Sequence, residues 1–192
     1  MRVGENGGPG EWVGDMNTVV RIAEPDDAMA VARVHVNAWR MAYRTLLPAA
    51  YLDGLRPEER AARYDFSHSD PLKPRTIVAT SGGDIAGFAT IAPAQDFKGC
   101  GWGELCALYV DPACWGQGVG RTLVATARSY LAEAGFQTAV LWIVTGNVRA
   151  DRFYRRDGWT PDGVDRRVPV WGITIDEVRY SRPLRALAGA RR

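Results

Sequence analysis

The chain has 192 residues, 46% of them hydrophobic and 24% charged, with 24 basic against 22 acidic side chains. That composition suits one soluble domain with a real core, and its charge is too balanced for a nucleic-acid-binding surface. No apolar run is long enough to span a membrane and no apolar h-region opens the chain, which predicts a cytoplasmic protein with no membrane partner.

Residues 1–17 carry five Gly and one Pro among few apolar residues, and are expected to be a disordered extension. A strand is predicted over 18–23 (TVVRIA). Glu24-Pro25-Asp26-Asp27 then starts a helix, because acidic groups suit the positive end of the helix dipole. This helix runs over 28–43 and breaks at Leu46-Leu47-Pro48. Further helical stretches are predicted over 49–55 and, opened by Pro57, over 57–66. Residues 75–80 and 85–91 read as strands of a hairpin turning at Ser81-Gly82-Gly83-Asp84. Residues 92–102 read as a loop.

A buried strand is predicted over 103–110, stopped by Asp111-Pro112 because proline has no N–H for the ladder. A helix over 119–134 follows, ended by Gly135. The nearly all-apolar run 137–144 is a strand covered on both faces. Asn147 caps a helix over 148–156. Gly158-Trp159 begins another strand, 162–171 resists assignment, 173–180 is the last strand, and 184–192 is expected to fray. This order gives an α/β fold, a mixed sheet of about seven strands with helices on both faces, occupying 18–183 as one domain.

The chemistry centres on residues 104–123, ELCALYVDPACWGQGVGRTL. Gly116, Gly118 and Gly120 alternate between a strand end and a helix start, so backbone N–H groups converge at the positive end of the helix, a site for a phosphate-bearing ligand. An ATP-binding loop would need a longer glycine spacing and a Lys followed by Ser or Thr, whereas Arg121-Thr122 stands here. A dinucleotide loop would need glycine at Arg121.

The loop W-G-Q-G-V-G after a strand ending V-D-P resembles the acyl-CoA pyrophosphate loop of the GNAT superfamily of N-acetyltransferases, with Trp115 where the family usually has Gln or Arg. The stretch NVRADRFYRRDGW resembles the late helix of the same superfamily. Asn147, Ala150, Phe153, Tyr154 and Gly158 match its pattern, and Trp159 replaces the usual Phe. The start HVNAWRMAYRTLLP also looks like a widespread bacterial branch of the superfamily.

The resemblance implies a sheet that splays after the central strand and acyl transfer from acetyl-CoA to a primary amine, in a ternary complex and without a metal. It implies that Leu108, Tyr109 and Val110 lie along the pantetheine arm, with the Val110 N–H as oxyanion donor. The loop Trp115-Gly116-Gln117-Gly118-Val119-Gly120-Arg121-Thr122 would hold the pyrophosphate through the N–H groups of Gln117 to Thr122. Asn147, Ala150 and Phe153 would flank the cofactor, and Tyr154 would protonate the leaving sulfur. Glu104 is the candidate base, expected to share a strand face with Cys106 and Leu108; Glu177, Asp96 and Asp84 are rivals. Trp39 and Tyr43, with Arg40 and Arg44, are candidates for the acceptor wall. A homodimer is common for this fold. A non-catalytic acyl-CoA-binding domain, and a partner-bound subunit with Trp12, Trp102, Trp115 and Trp171 exposed, are the competing readings. Cys100, Cys106 and Cys114 form no C-x-x-C pair and have no histidine nearby in sequence, which argues against zinc and against an acyl-cysteine route.

Overall fold

The computed structural model describes residues 12–14, 18–68, 70, 72–94, 101–170 and 172–184. Among these, eight strands form one sheet: β1 (Trp12–Gly14), β2 (Thr18–Ile22), β3 (Arg75–Ser81), β4 (Asp84–Pro93), β5 (Trp102–Val110), β6 (Thr138–Val144), β7 (Thr160–Val170) and β8 (Ile173–Pro183). Their spatial order is β1-β2-β3-β4-β5-β6-β8-β7. Every neighbouring pair is antiparallel except β5 and β6. A parallel pair needs a crossover, supplied by helix α4 (Val119–Glu133).

Helices α1 (Ala28–Ala42), α2 (Ala49–Gly54) and α3 (Pro57–Ala61) belong to one face of the sheet; α4 and α5 (Val148–Arg156) belong to the other. The apolar run of β6 serves both faces. Ala139, Leu141 and Ile143 pack with Leu123 and Leu131 of α4, while Val144 packs with Trp39 and Tyr43 on the α1 side. Leu123 is fully buried, so its truncation to Ala costs about 2–5 kcal/mol. Gly103 lets α4 close on β5, since a Cβ there would stand 2.6 Å from Leu131.

Two features of β5 position the site. First, it pairs with β6 only from Trp102–Glu104 to Thr138–Val140, whereas β6 stays paired with β8 as far as Val144. The sheet therefore parts beyond Glu104. Second, the register to β4 slips: Ile91 faces Leu105 and Thr90 faces Ala107, leaving Cys106 as the extra residue of a β-bulge. The bulge reverses the alternation. Leu105 packs on the α4 side, and so do Leu108 and Val110, while Ala107 and Tyr109 pack toward α1. Glu104, Cys106 and Leu108 thus do not share a face, contrary to the plain period-two reading.

Other departures have local causes. The third helix stops at Ala61, short of 66, where the chain turns so that Tyr64 stacks on Phe66 at 5.2 Å and packs against His35. Strand β5 starts at Trp102, so the expected loop is shorter, and 95–100, with Asp96 and Cys100, lie outside the described residues. The unassigned 162–171 is mostly the edge strand β7, where Pro161 and Pro169 are tolerated because one side of an edge strand has no ladder to complete. Within the stretch expected to be disordered, Trp12–Gly14 pairs with β2, which accounts for the strand beyond seven. The rest of 1–17, the Trp12 side chain, Trp171 and 185–192 lie outside the described residues.

Candidate active site

The loop after β5 is built from its first residue. The Asp111 carboxylate accepts the Ala113 N–H at 3.0 Å and the Asn37 amide at 3.0 Å, tying the turn Pro112–Cys114 to α1. The Asp111 N–H donates to Ala86 of β4 at 2.8 Å. Backbone groups alternate in direction along a strand, so the N–H and C=O of Val110 and Leu108 point the other way, into the gap left by β6. The Val110 carbonyl is taken by the indole N–H of Trp115 at 2.8 Å. The guanidinium of Arg149, from α5 across the opening, lies 3.6 Å from the centre of the Trp115 ring.

Gly116 and Gly118 have φ of 80° and 86°, the left-handed region, and a Cβ at either would project into open space. Their backbone is therefore open to a ligand's approach, and glycine meets the conformation without strain. The N–H groups of Arg121 and Thr122 donate to the Gly118 carbonyl at 2.9 and 3.0 Å. This corrects the expected donor run of Gln117 to Thr122. In this loop the amides from Gly116 to Gly120 make no backbone hydrogen bond to a described residue.

The parted strands, this loop and α5 enclose a cleft of about 910 Å³. Leu108, Tyr109 and Val110 form its floor. Trp115, Gly116, Gly118, Val119, Gly120 and Arg121 form the loop side. Asn147, Ala150, Phe153 and Tyr154 line the α5 side. Gln117 and Thr122 do not line it: the Gln117 side chain donates to Ala113 O at 3.0 Å, and the Thr122 hydroxyl to Gly118 O at 3.4 Å. Sequence reading missed Cys106, Trp142, Arg149, Arg152 and Arg156, which also line the cleft. The arginine run of α5 was the available signal. With Arg121 these cations make the mouth attractive to phosphate.

Helix α5 is fixed at both ends. The Asn147 side chain accepts the Ala150 N–H at 3.1 Å. After its last turn, Asp157 binds Trp159 Nε1 at 3.0 Å, Arg128 at 3.1 Å and Arg182 at 2.9 Å. Tyr154 is held between Phe153 and Trp159, and its hydroxyl makes no hydrogen bond to any described residue. Burial pushes this phenol up, so it keeps its proton at neutral pH.

On the α1 side Trp39 and Tyr43 are both buried, with rings 4.8 Å apart, but only Tyr43 reaches the cleft. Arg40 is spent on the carbonyls of Leu52 and Leu55, at 3.2 and 2.8 Å, and fixes α2. Burial raises the Tyr109 phenol, while hydrogen bonding from Trp39 and Tyr43 pulls it the other way. His35 stacks on Tyr109 at 4.5 Å and meets the Tyr64 hydroxyl through Nδ1 at 2.6 Å. Burial, with help from the Arg60 charge, lowers it to about 3, so it is neutral at physiological pH.

Glu104 does not line the cleft; it sits where β5 is still paired, and its charge acts on Cys106. Although Cys106 is exposed to the open cleft, the surrounding protein and that charge raise its thiol, which disfavours the thiolate an acyl-cysteine route needs. Glu177 of β8 likewise lies outside the cleft lining and accepts from Arg166 at 2.7 Å, but its charge acts on Tyr43 and Tyr109, both cleft residues.

Residues 36–159 match the model of the acetyltransferase (GNAT) family. The chain is 29% identical over 165 residues to an uncharacterized N-acetyltransferase, YuaI, of Bacillus subtilis, covering 85% of this chain and 92% of that one. It is 31% identical over 137 residues to an uncharacterized N-acetyltransferase of Archaeoglobus fulgidus, covering 70% and 88%. A mycothiol acetyltransferase of Amycolatopsis mediterranei is 28% identical across 70% of this chain, which spans only 44% of that relative. The fold is shared with the PaiA N-acetyltransferase of Thermoplasma acidophilum in complex with coenzyme A, at TM-score 0.69, 17% identity and coverage of 88% and 99%. The protein belongs to the acetyltransferase (GNAT) family.

Proposed function

We propose that this chain transfers the acetyl group of acetyl-CoA to a primary amine of a small molecule or peptide by direct attack in a ternary complex. The observation that carries the reading is a sheet that parts after Glu104, beside a loop whose amides from Gly116 to Gly120 have no backbone partner among the described residues. The residues suit the cofactor. Two left-handed glycines leave open space for a diphosphate, four arginines line the mouth, and β5 offers unpaired strand edge to an extended arm. Arg121, Arg149, Arg152 and Arg156 would meet phosphate, and Leu108 and Val110 the pantetheine amides.

Acetyl-CoA, when bound, supplies the thioester carbonyl that an amine attacks. The Val110 N–H, aimed into the gap, donates to the carbonyl oxygen as charge builds on it, an effect worth about 2–4 kcal/mol for donors of this type. Tyr154 would give its hydroxyl proton to the leaving sulfur and be restored by the proton that the attacking nitrogen loses as the amide forms. The amine must arrive without its extra proton. Glu177 takes that proton through water more readily than Glu104, because its charge is felt at Tyr43 and Tyr109 on the acceptor side of the cleft. Tyr43 forms the acceptor wall, with Trp39 behind it.

This reading also has the protein working in the cytoplasm as a homodimer. No described helix is long and apolar enough to cross a membrane, and Cys106 and Cys114 are free thiols. Gel filtration tests the dimer. The function is tested by incubating the protein with acetyl-CoA and a panel of polyamines, aminoglycosides, amino acids and peptides, following free thiol. Amine-dependent thiol release is expected; thiol release independent of every amine would refute the reading.

A further inference from the structure

Helix α5 carries a charge that its own position disfavours. Arg149 is the second residue of the helix, where the dipole is positive and a cation costs stability. It shares a helix face with Arg152 and Arg156, and all three line the cleft, so like charges stand along one wall. The acid of the first turn does not relieve them. Asp151 lies toward the opposite side of the helix, where it binds Arg155 at 2.6 Å and accepts the Tyr180 hydroxyl.

What holds Arg149 is the other wall of the cleft. Its guanidinium lies 3.6 Å from the centre of the Trp115 ring, and it makes no hydrogen bond or ion pair to a described residue. At this distance the flat group rests on the ring face, the side of an aromatic that attracts a cation, and its N–H edge is left unpaired. The ring is itself held. It is half-buried, and its Nε1 donates to the Val110 carbonyl at 2.8 Å. A strand end therefore fixes an indole, and the indole fixes a guanidinium. The donors of that guanidinium stand at the cleft, next to the open backbone of Gly116 and Gly118.

We propose that Trp115 is a positioning residue for the cofactor: its ring holds Arg149 across the opening, so that the guanidinium meets a phosphate from the side opposite the loop amides. The proposal rests on the acetyltransferase reading and divides the work of binding between the two walls. The loop offers backbone amides to the diphosphate, and α5 brings a charge that the Trp115 ring keeps in place. Oriented beforehand, Arg149 loses little freedom when the ligand arrives. A guanidinium suits the task because it can stack on a ring and still present paired donors to phosphate.

Isothermal titration of coenzyme A at fixed salt tests this without turnover. Arg149→Met, at an exposed position, should weaken binding roughly tenfold, and Trp115→Leu roughly fivefold. The decisive quantity is how far the two effects depend on each other. Because Trp115 acts through Arg149, Arg149→Met should cost less than about twofold in the Trp115→Leu background. It should keep most of its tenfold cost in the Trp115→Phe background, roughly as in the wild type, because a ring face remains there. Trp115→Gln, which also has no ring, replaces Trp115→Leu if that variant does not fold. With S-acetylpantetheine as donor, which has no phosphate, Arg149→Met should leave KM unchanged. An Arg149→Met cost equal in the wild type and in the ringless background, or no cost in the wild type, would overturn the proposal and leave the coenzyme site intact. No heat from the wild type would overturn both.

Discussion

The indole N–H of Trp115 donates to the Val110 carbonyl at 2.8 Å, so a residue of the glycine loop ties that loop to the end of β5. The same ring carries Arg149 of the opposite wall at 3.6 Å. Trp115→Phe keeps a ring for Arg149 and removes the hydrogen bond. With the Val110 peptide less well held, kcat/KM for acetyl-CoA should fall roughly fivefold, for a bond of about 1 kcal/mol. Steady-state kinetics at saturating amine checks this; an unchanged value would mean that the bond does not hold the Val110 amide in place.

The Tyr154 hydroxyl makes no hydrogen bond to a described residue, so the proposed proton transfer can be separated from packing. Tyr154→Phe is expected to leave the melting temperature and coenzyme affinity unchanged and to lower kcat about a hundredfold. An unchanged kcat would remove Tyr154 from proton transfer.

The carboxylates can be separated in the same way. Glu177→Gln should lower kcat/KM for the amine about a hundredfold, and Glu104→Gln much less, with acetyl-CoA affinity intact in both. The reverse ranking would assign the base to Glu104.

Much of this site was legible in the sequence because its determinants are local. The Asn147 cap and the bounds of α5 follow from residue type and spacing, and the structure realises both; of the three alternating glycines, Gly116 and Gly118 adopt a positive φ and Gly120 does not. The bulge at Cys106 was not legible: it depends on how β4 registers with β5, and no residue type marks it. Glu104 was therefore read onto the wrong face relative to Leu108. The bond from Trp115 to Val110 spans five residues through a turn and was equally hidden. A strand opening near Trp159 was legible, but its run through 162–170 was not, because an exposed edge strand, with Pro161, Gly163 and Pro169, has no apolar alternation to read.

The entry of the chain into α1 depends on pH. Asp27 is lowered by the Arg21 hydrogen bond at 2.6 Å, and it also accepts the Glu24 N–H at 2.8 Å. A carboxylate held below its unfolded value adds stability above about pH 4, and that stability is lost as pH falls through the folded value. Asp27→Asn should therefore melt lower than the wild type at neutral pH, with the difference shrinking below about pH 4. Melting curves across that range check it; a difference that stayed constant into acid would contradict the ion pair's role.

The central claim is that amides from Gly116 to Gly120, beside the parted strands, grip the diphosphate of coenzyme A. Gly118→Glu would place a carboxylate at the open face of that loop, at a residue with φ of 86°. Isothermal titration of coenzyme A into the wild type and into Gly118→Glu tests the claim most directly. Saturable heat from the wild type and none from the folded variant is the predicted result. Heat of equal size from both, or none from the wild type at millimolar coenzyme, would contradict it.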